Sequence, residues 1–100
     1  MTARLSFAID FDKTITADPR MFFDIVKMCQ LYNYDVRIVT FRHAGGDNSD
    51  IALFNAGLGI PVIYCAGVSK WKECHRLGFF PNIWIDDNPA WIGQPVEEAK

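Results

Sequence analysis

Paired cysteines are missing from this sequence. Its three cysteines, Cys29, Cys65 and Cys74, are widely spaced, and no two of them form a Cys-x-x-Cys motif. An odd and scattered set of this kind excludes a disulfide framework or a structural zinc site as the basis of the fold. The pattern is typical of reduced cysteines, and we therefore expect a cytoplasmic protein.

The sequence also has little net charge and no long hydrophobic run. Ten basic and twelve acidic residues give a formal net charge of −2 at pH 7, so there is no electrostatic reason to expect non-specific binding to nucleic acid or to an anionic membrane. The apolar start is interrupted by Arg4 and Asp10, so we expect neither a signal peptide nor a membrane span, and no membrane partner. Repeats, low-complexity runs and linkers are missing too, which predicts one domain over residues 1–100.

Apolar segments of two kinds alternate along the chain. Four short runs are typical of buried strands, and three longer segments between them have helical spacing. We predict strands at residues 5–9, 36–40, 60–65 and 82–85, and helices at 19–32 and 70–77. A further helix is predicted to run through residues 51–55, with Asp47, Asn48 or Ser49 as its cap and Gly57 or Gly59 as its end. This alternation predicts right-handed βαβ units in an α/β fold, a Rossmann-like three-layer sandwich with a mainly parallel sheet.

Local signals mark the ends of these elements. Asp18 before Pro19 predicts a helix start, and Ser69 predicts the N-cap of the last helix. After the last strand, three apolar residues are expected to pack across the domain ahead of an acidic tail: Trp91, Ile92 and Val96.

The first strand ends in two alternating carboxylates, Asp10 and Asp12, followed by Thr14. The spacing aims both acidic side chains the same way, where they repel each other. Mg²⁺ between them would relieve that repulsion, because it prefers carboxylate oxygens. The alternative is an acidic strand end in which Asp12 or Thr14 only caps the next turn.

Polar residues follow the other strands as well: Thr40 after the second, and Asp86 and Asp87 after the fourth. Parallel sheets bind ligands beyond the carboxyl ends of their strands. We therefore expect these side chains to meet Asp10 and Asp12 in one site.

The segment Asp10-Phe11-Asp12-Lys13-Thr14 resembles motif I of the haloacid dehalogenase (HAD) superfamily, Asp-x-Asp-x-Thr, although Lys13 stands where many members carry glycine. Three further motifs follow in the family's order. Thr40 resembles motif II, Lys70 resembles motif III, and the pair Asp86 and Asp87 resembles motif IV. The resemblance spans residues 5–89 and implies a HAD-like core.

The resemblance implies a Mg²⁺-dependent phosphoric monoester hydrolase that acts through an aspartyl-phosphate. It implies that Asp10 is the nucleophile and Asp12 the general acid/base, while Thr40 binds the phosphoryl group and Lys70 offsets its charge. The expected metal ligands are Asp10, Asp12 and Asp86. The expected substrate contacts are Thr14, Phe11 through its backbone, and Arg42.

Several roles stay open at this point. Lys72 competes with Lys70, Thr40 could serve only a strand-end carbonyl, and Asp87 could orient a ligand or cap a turn. Arg42 could be a solvated loop residue. Two tryptophans could stack a nucleobase or only pack at the rim: Trp71 and Trp91.

Other functions are also open. A non-catalytic module that binds phosphate or a partner could keep the same fold and metal site. A phosphoacceptor receiver domain is disfavoured, because its acceptor Asp lies on a middle strand, whereas here the middle strands end in Thr40 and Cys65.

The intervals between the motifs predict an open site. Residues 13–39 and 41–69 are filled by single helices, strands and loops, which leaves no room for the cap domain that many HAD phosphatases carry. We therefore expect a phosphate on something large, such as a nucleotide, a nucleic-acid end or a phosphoprotein. The oligomeric state is not predicted.

Overall fold

The fold is built on a parallel β-sheet. In the computed structural model, which describes residues 4–94, the sheet has four strands in the order β3-β2-β1-β4, and every neighbouring pair is parallel. The strands are β1 (Ser6–Ile9), β2 (Asp35–Thr40), β3 (Val62–Tyr64) and β4 (Ile83–Ile85). The helices are α1 (Pro19–Leu31), α2 (Ser49–Asn55) and α3 (Lys70–Arg76), and short 3₁₀ turns cover Ile15–Ala17 and Pro89–Trp91. The predicted Rossmann-like α/β architecture is confirmed, and the sheet is entirely parallel within the described residues.

Local chemistry explains where two helices begin. The side chain of Asp18 accepts a hydrogen bond from the Met21 N–H at 3.1 Å, and Pro19 occupies the first helical position of α1. The Ser69 hydroxyl accepts from the Lys72 N–H at 3.2 Å and so caps α3. Both predicted caps are confirmed, and the second one places Lys70 in the first turn of its helix.

Three strands begin one or two residues later than the sequence predicts (β1, β3 and β4), whereas β2 begins one residue earlier, at Asp35. β1 begins at Ser6 because Leu5 lies at the edge of the fold and is 38% exposed. β3 begins at Val62, since Pro61 has no N–H to give to the sheet, although its carbonyl accepts from the Ile38 N–H at 3.0 Å. The carboxyl ends of β1, β2 and β4 lie where the sequence predicts them, and β3 ends one residue early, at Tyr64.

Helices cover both faces of the sheet. Ile9 and Ile38 belong to a core cluster with residues of α1 and α2. Their neighbours along the two strands, Ala8 and Val39, belong to a second cluster that includes Cys74 of α3. This alternation follows from the two-residue period of a strand. The three predicted layers are therefore present. Each large aliphatic side chain that is fully buried between them contributes about 1.5–3 kcal/mol to the free energy of folding.

The order of the strands creates a crevice at one edge of the sheet. From β1 the chain moves outward through β2 to β3, and then returns to place β4 on the other side of β1. Loops that leave β1 and β4 therefore diverge at a topological switch point, the usual ligand position in open parallel sheets. The Asp10 N–H donates to the Ile85 carbonyl at 2.9 Å and ties the two strand ends together.

The segments between the strands contain single helices, 3₁₀ turns and loops, and no additional domain within residues 4–94. Between β1 and β2 it forms the first 3₁₀ turn and α1, and between β2 and α3 it forms α2, β3 and loops. Among residues 4–94, no helix has the length and apolar character needed to cross a membrane. The predicted packing of Trp91 is confirmed in part by its contact with Phe41, whereas Val96 lies outside the described residues.

Candidate functional site

The carboxyl ends of β1 and β4 place two acidic side chains around one buried lysine. The Lys70 Nζ donates to Asp10 Oδ1 at 2.8 Å and to Asp86 Oδ2 at 2.6 Å. The three side chains are almost fully buried, with exposed fractions of 1% for Lys70, 6% for Asp10 and 2% for Asp86. Because Lys72 is exposed on the same helix, the structure brings Lys70, and not Lys72, to the acidic cluster.

Opposing effects act on the pKa of Lys70. Burial lowers it, because a charged ammonium is poorly solvated in the interior. Hydrogen bonds from the ammonium to Asp10 and Asp86 raise it by more, and the net direction is upward. Lys70 is therefore a fixed positive charge at neutral pH, held between the ends of two strands.

Thr14 connects Asp10 to the second acidic residue after β4. Its hydroxyl oxygen lies 3.1 Å from Asp10 Oδ2 and 3.2 Å from Asp87 Oδ1, and it accepts the Asp87 N–H at 3.1 Å. A hydroxyl has a single proton, so it can donate to only one of the two carboxylates at a time. Thr14 therefore fixes the relative positions of the β1 and β4 loops.

Burial dominates the electrostatics of Asp10. Desolvation raises the pKa of Asp10, the hydrogen bond from Lys70 lowers it and a hydrogen bond with Asp87 raises it, and the net result is a pKa of about 6. The same hydrogen bond with Asp10 lowers the pKa of Asp87. Without a further cation, Asp10 and Asp87 thus tend to share one proton, as expected for neighbouring carboxylates.

Three carboxylates in this cluster suit a divalent cation. Asp10, Asp86 and Asp87 each offer an oxygen, and these oxygens lie within 4.8 Å of one another. A set of carboxylate oxygens beside open solvent matches the preference of Mg²⁺ for a few carboxylates and several waters. The fit is chemically sound, although acidic groups also cluster at protein surfaces without a metal.

Asp12 lies apart from that triad and pairs with Arg42. The Arg42 Nε donates to Asp12 Oδ2 at 3.0 Å and its Nη2 to Asp12 Oδ1 at 2.6 Å, so both oxygens of the carboxylate are engaged. The structure thus places Asp87, and not the side chain of Asp12, with the other two predicted metal ligands. Asp12 as a metal ligand stays a prediction, as does Arg42 as a substrate contact.

Arg42 has a second acidic partner that the sequence analysis missed. Its Nη1 and Nη2 donate to the two oxygens of Asp50 at 2.6 and 2.8 Å. These hydrogen bonds, with those to Asp12, raise the pKa of Arg42, and they lower the pKa of Asp50. Acidic residues are common in the first turn of a helix, so no sequence signal set Asp50 apart.

Thr40 and Phe11 are buried beside the cluster. Thr40 is fully buried at the end of β2, and its hydroxyl accepts the Arg42 N–H at 3.3 Å. The Phe11 side chain is only 3% exposed and packs edge-on against Phe54 in the core. The ring of Phe11 thus serves packing, which leaves only its backbone for the substrate contact that we predict.

The residue between Asp12 and Thr14 has a left-handed backbone. Lys13 has a φ of 63°, a conformation that L-residues other than Gly and Asn seldom adopt. The Lys13 N–H donates to the Thr16 hydroxyl at 2.8 Å, which helps to hold the turn. The departure from glycine at this position therefore leaves the turn intact at a cost in backbone strain.

Aromatic residues flank the cluster on one side. Trp91 stacks on Phe41 with ring centroids 4.7 Å apart, and the Lys70 Nζ lies 5.5 Å from the Phe41 centroid. Trp71 stacks on His75 at 3.8 Å. Trp91, which is 48% exposed, is therefore the tryptophan with both a packing partner near the cluster and a solvent-facing surface.

The chain was compared with models of protein families, with curated proteins and with solved structures, and none of the three comparisons found a match. The resemblance to the HAD motifs consequently depends on the residues of this chain, and on where the fold places them.

Proposed function

We propose that this protein is a Mg²⁺-dependent phosphoric monoester hydrolase with a HAD-like core and no cap domain. The observation that supports the proposal most is the buried Lys70 ammonium, which bridges Asp10 and Asp86 at the switch point of the sheet. Burying three charged side chains is costly, and well-packed apolar residues would often serve stability as well or better. A chemical role explains why the charges are there.

In the proposed first step, Asp10 acts as nucleophile. One of its carboxylate oxygens attacks the phosphorus of the substrate, a bond forms between them, and the bond from phosphorus to the leaving oxygen breaks. Lys70 offsets the repulsion between the carboxylate and the phosphate dianion. A Mg²⁺ ion held by Asp10, Asp86 and Asp87 would supply further neutralisation of charge on the phosphoryl oxygens.

Asp12 acts as general acid in the first step and as general base in the second. As a carboxylic acid it gives its proton to the leaving oxygen of the substrate, and as a carboxylate it then takes a proton from the attacking water. That water adds to phosphorus as the bond to Asp10 breaks, which releases inorganic phosphate and restores both aspartates. For the first of these roles one Asp12 oxygen must release Arg42 in order to carry the proton, while the other oxygen keeps its hydrogen bond to the guanidinium.

The phosphoryl oxygens are bound mainly by uncharged donors. The Thr40 hydroxyl and the backbone N–H groups near Phe11 and Asp12 are the proposed contacts, together with Thr14. Thr40 is fully buried, so the neighbouring loop must expose its hydroxyl before it can donate to the phosphate. Phosphoryl transfer depends on the positioning of the phosphate by such contacts, together with charge neutralisation.

The proposed substrate carries its phosphate on a large or exposed group, such as a nucleotide, a nucleic-acid end or a phosphoprotein. Asp12 and Arg42 at the rim are partly open to solvent, with side-chain exposures of 49% and 24%. Half-exposed Trp91 offers an aromatic surface near Lys70 for a base or another flat group.

A second candidate is a module that binds phosphate or a partner without catalysis. The engagement of both Asp12 oxygens by Arg42 favours it, because a fixed Asp12 would bind no proton for the leaving group. The two candidates differ in turnover and share the requirement for Lys70.

The test is a screen of phosphorylated oligonucleotides, nucleotides, phosphopeptides and sugar phosphates, with Mg²⁺ or with EDTA. Lys70→Ala should lose turnover at least ~10²-fold, a loss typical for a preorganised electrostatic contact. Lys72→Ala, which removes an exposed lysine from the same helix, should stay near wild type. Equal small effects would contradict the role of Lys70, and phosphate release in EDTA at the full rate would contradict the metal. Binding of phosphate without turnover would support the second candidate.

A further inference from the structure

Asp50 takes no part in the proposed reaction, but it binds the arginine that contacts the general acid/base. Its side chain is bonded to Arg42 and not to the cluster of Lys70, Asp10 and Asp86. Arg42 donates four hydrogen bonds in all, two to Asp50 and two to Asp12. Arg42 in turn holds both oxygens of Asp12. A continuous chain of charge-assisted hydrogen bonds therefore runs from the first turn of α2 to the general acid/base.

The geometry uses the guanidinium on two sides. The edge formed by Nε and Nη2 faces Asp12, and the end formed by Nη1 and Nη2 faces Asp50. Paired donors of this kind fix direction as well as distance. Asp50 itself accepts the N–H of Ile51 at 2.9 Å, and Ile51 is 1% exposed in the core. The far end of the chain of bonds is thus anchored to the buried part of the fold.

A single ion pair is too weak to order the Arg42 side chain. An exposed Arg–Asp pair contributes about 0–1 kcal/mol, while ordering an arginine side chain costs about 2 kcal/mol of rotamer entropy. With Asp12 as its single acidic partner, the Arg42 side chain, which is 24% exposed, would be loosely held. The second carboxylate orders the guanidinium in advance, so that its bonds to Asp12 form at a smaller entropic cost.

We propose that Asp50 is a positioning residue, which through Arg42 holds the Asp12 carboxylate at the rim of the site. This inference rests on the proposed function for its catalytic meaning, since Asp12 is there the group that moves protons. The positioning itself is a property of the folded chain and can be measured without any substrate.

The direct test follows the Arg42 Nε–H resonance by ¹⁵N NMR, assigned from its loss in Arg42→Lys. Asp50→Asn should shift that resonance and speed its exchange with solvent, because the ordering carboxylate charge is gone. Asp47→Asn is the matched control: Asp47 lies in the loop just before α2 and accepts from the N–H and hydroxyl of Ser49 at 3.1 and 2.8 Å. An Arg42 resonance that is identical in wild type and Asp50→Asn would overturn the proposal.

The kinetic arm compares two phosphate esters with good and poor leaving groups, 4-nitrophenyl phosphate and an alkyl phosphate. General acid–base catalysis contributes about 10²–10⁴-fold, and we expect Asp50→Asn to lose about tenfold of this in kcat on the alkyl ester, with KM little changed. The loss should be smaller on 4-nitrophenyl phosphate, whose leaving group needs no proton, and Asp50→Glu should restore part of it.

The two arms separate the two ideas. A wild type that hydrolyses neither ester sinks the proposed function, and the Arg42 resonance alone then decides the positioning. An active wild type in which Asp50→Asn loses kcat equally on both esters, or not at all, overturns the positioning of Asp12 while leaving the proposed hydrolase in place.

Discussion

Lys13 shows at the scale of one residue how the first loop departs from its expected glycine. Its φ of 63° lies in the left-handed region, where a non-glycine residue costs roughly 1–2 kcal/mol. The residue nevertheless leaves Thr14 in contact with Asp10, with the Thr14 hydroxyl 3.1 Å from Asp10 Oδ2. Strain is thus tolerated at the turn that orients the site, which is a common property of functional loops.

The strain predicts a gain in stability for Lys13→Gly. Glycine adopts the left-handed turn freely but loses more backbone entropy on folding, so the net gain in the free energy of unfolding should be about 0.5–1 kcal/mol. Denaturant titration measures it. Asn33→Gly is the control, because Asn33 has a φ of 60° but asparagine tolerates this conformation. A gain at Lys13 no larger than the gain at Asn33 would contradict the idea of strain.

Arg42 marks the limit of what the sequence could predict for single residues. The sequence indicated that Thr40, Asp86 and Asp87 would meet Asp10 and Asp12, because each follows a strand at the same edge of the sheet, and the resemblance to the HAD motifs added Lys70. The structure brings Asp10, Lys70, Asp86 and Asp87 together there. The partners of Arg42 depend instead on the path of the loop at 41–48, which no period or spacing specifies. Hence Asp50 was missed, and Asp12 was grouped with metal ligands from which its side chain lies apart.

At the scale of elements, α3 matters because its first residue is Lys70. Ser69 caps this helix, and its hydroxyl also donates to the Ile92 carbonyl at 3.2 Å. The loop after β4 packs closely here, since a Cβ added at Gly93 would lie 2.7 Å from the Ser69 hydroxyl oxygen. The cap therefore aligns the lysine helix with the loop that carries the acidic residues.

Removing this cap should affect both stability and turnover. Ser69→Ala should lower the free energy of unfolding by about 1 kcal/mol and reduce kcat, because Lys70 loses its fixed starting point. Asp18→Ala removes the equivalent cap of α1 and should cost a similar stability, but α1 carries no predicted site residue and kcat should hold. Equal effects of the two variants on kcat, measured well below their melting temperatures, would contradict a specific link between the cap and the site.

Element boundaries were predictable where the signal is local. Asp18-Pro19 and Ser69 sit next to the residues that they cap, and both starts were correct. Strand starts were less predictable, because Leu5 and Ile60 are apolar yet precede the strands that follow them, which begin at Ser6 and Val62. The order of the strands was beyond local signals, since it depends on the direction in which each crossover packs.

At the scale of the whole molecule, the strand order collects the charges. Because β4 returns beside β1, Asp86 and Asp87 reach Asp10 from a distant part of the sequence. Three carboxylates and one ammonium leave an excess of negative charge at the crevice. A divalent cation would balance that excess, which is the physical basis of the proposed metal site.

The two acidic residues after β4 should respond differently to mutation in EDTA. Asp87→Asn should keep or raise the melting temperature, because Asp87 is exposed, makes no hydrogen bond to Lys70 and adds repulsion. Asp86→Asn should lower it, since Lys70 then retains one buried carboxylate. Wild type should gain about 2.7 kcal/mol when Mg²⁺ is at a hundred times its Kd, and both variants should gain less. An undiminished gain in both would remove them from the metal site.

The most direct test of the account is to trap the phosphoryl group on Asp10. The wild-type protein is mixed with Mg²⁺ and the best substrate from the screen, quenched in acid within one turnover, digested and examined by mass spectrometry. If Asp10 is the nucleophile, one phosphoryl group will be found on the peptide that contains Asp10. The Asp10→Asn variant should show neither this adduct nor turnover. Full turnover by a carefully purified Asp10→Asn protein would contradict the proposed mechanism.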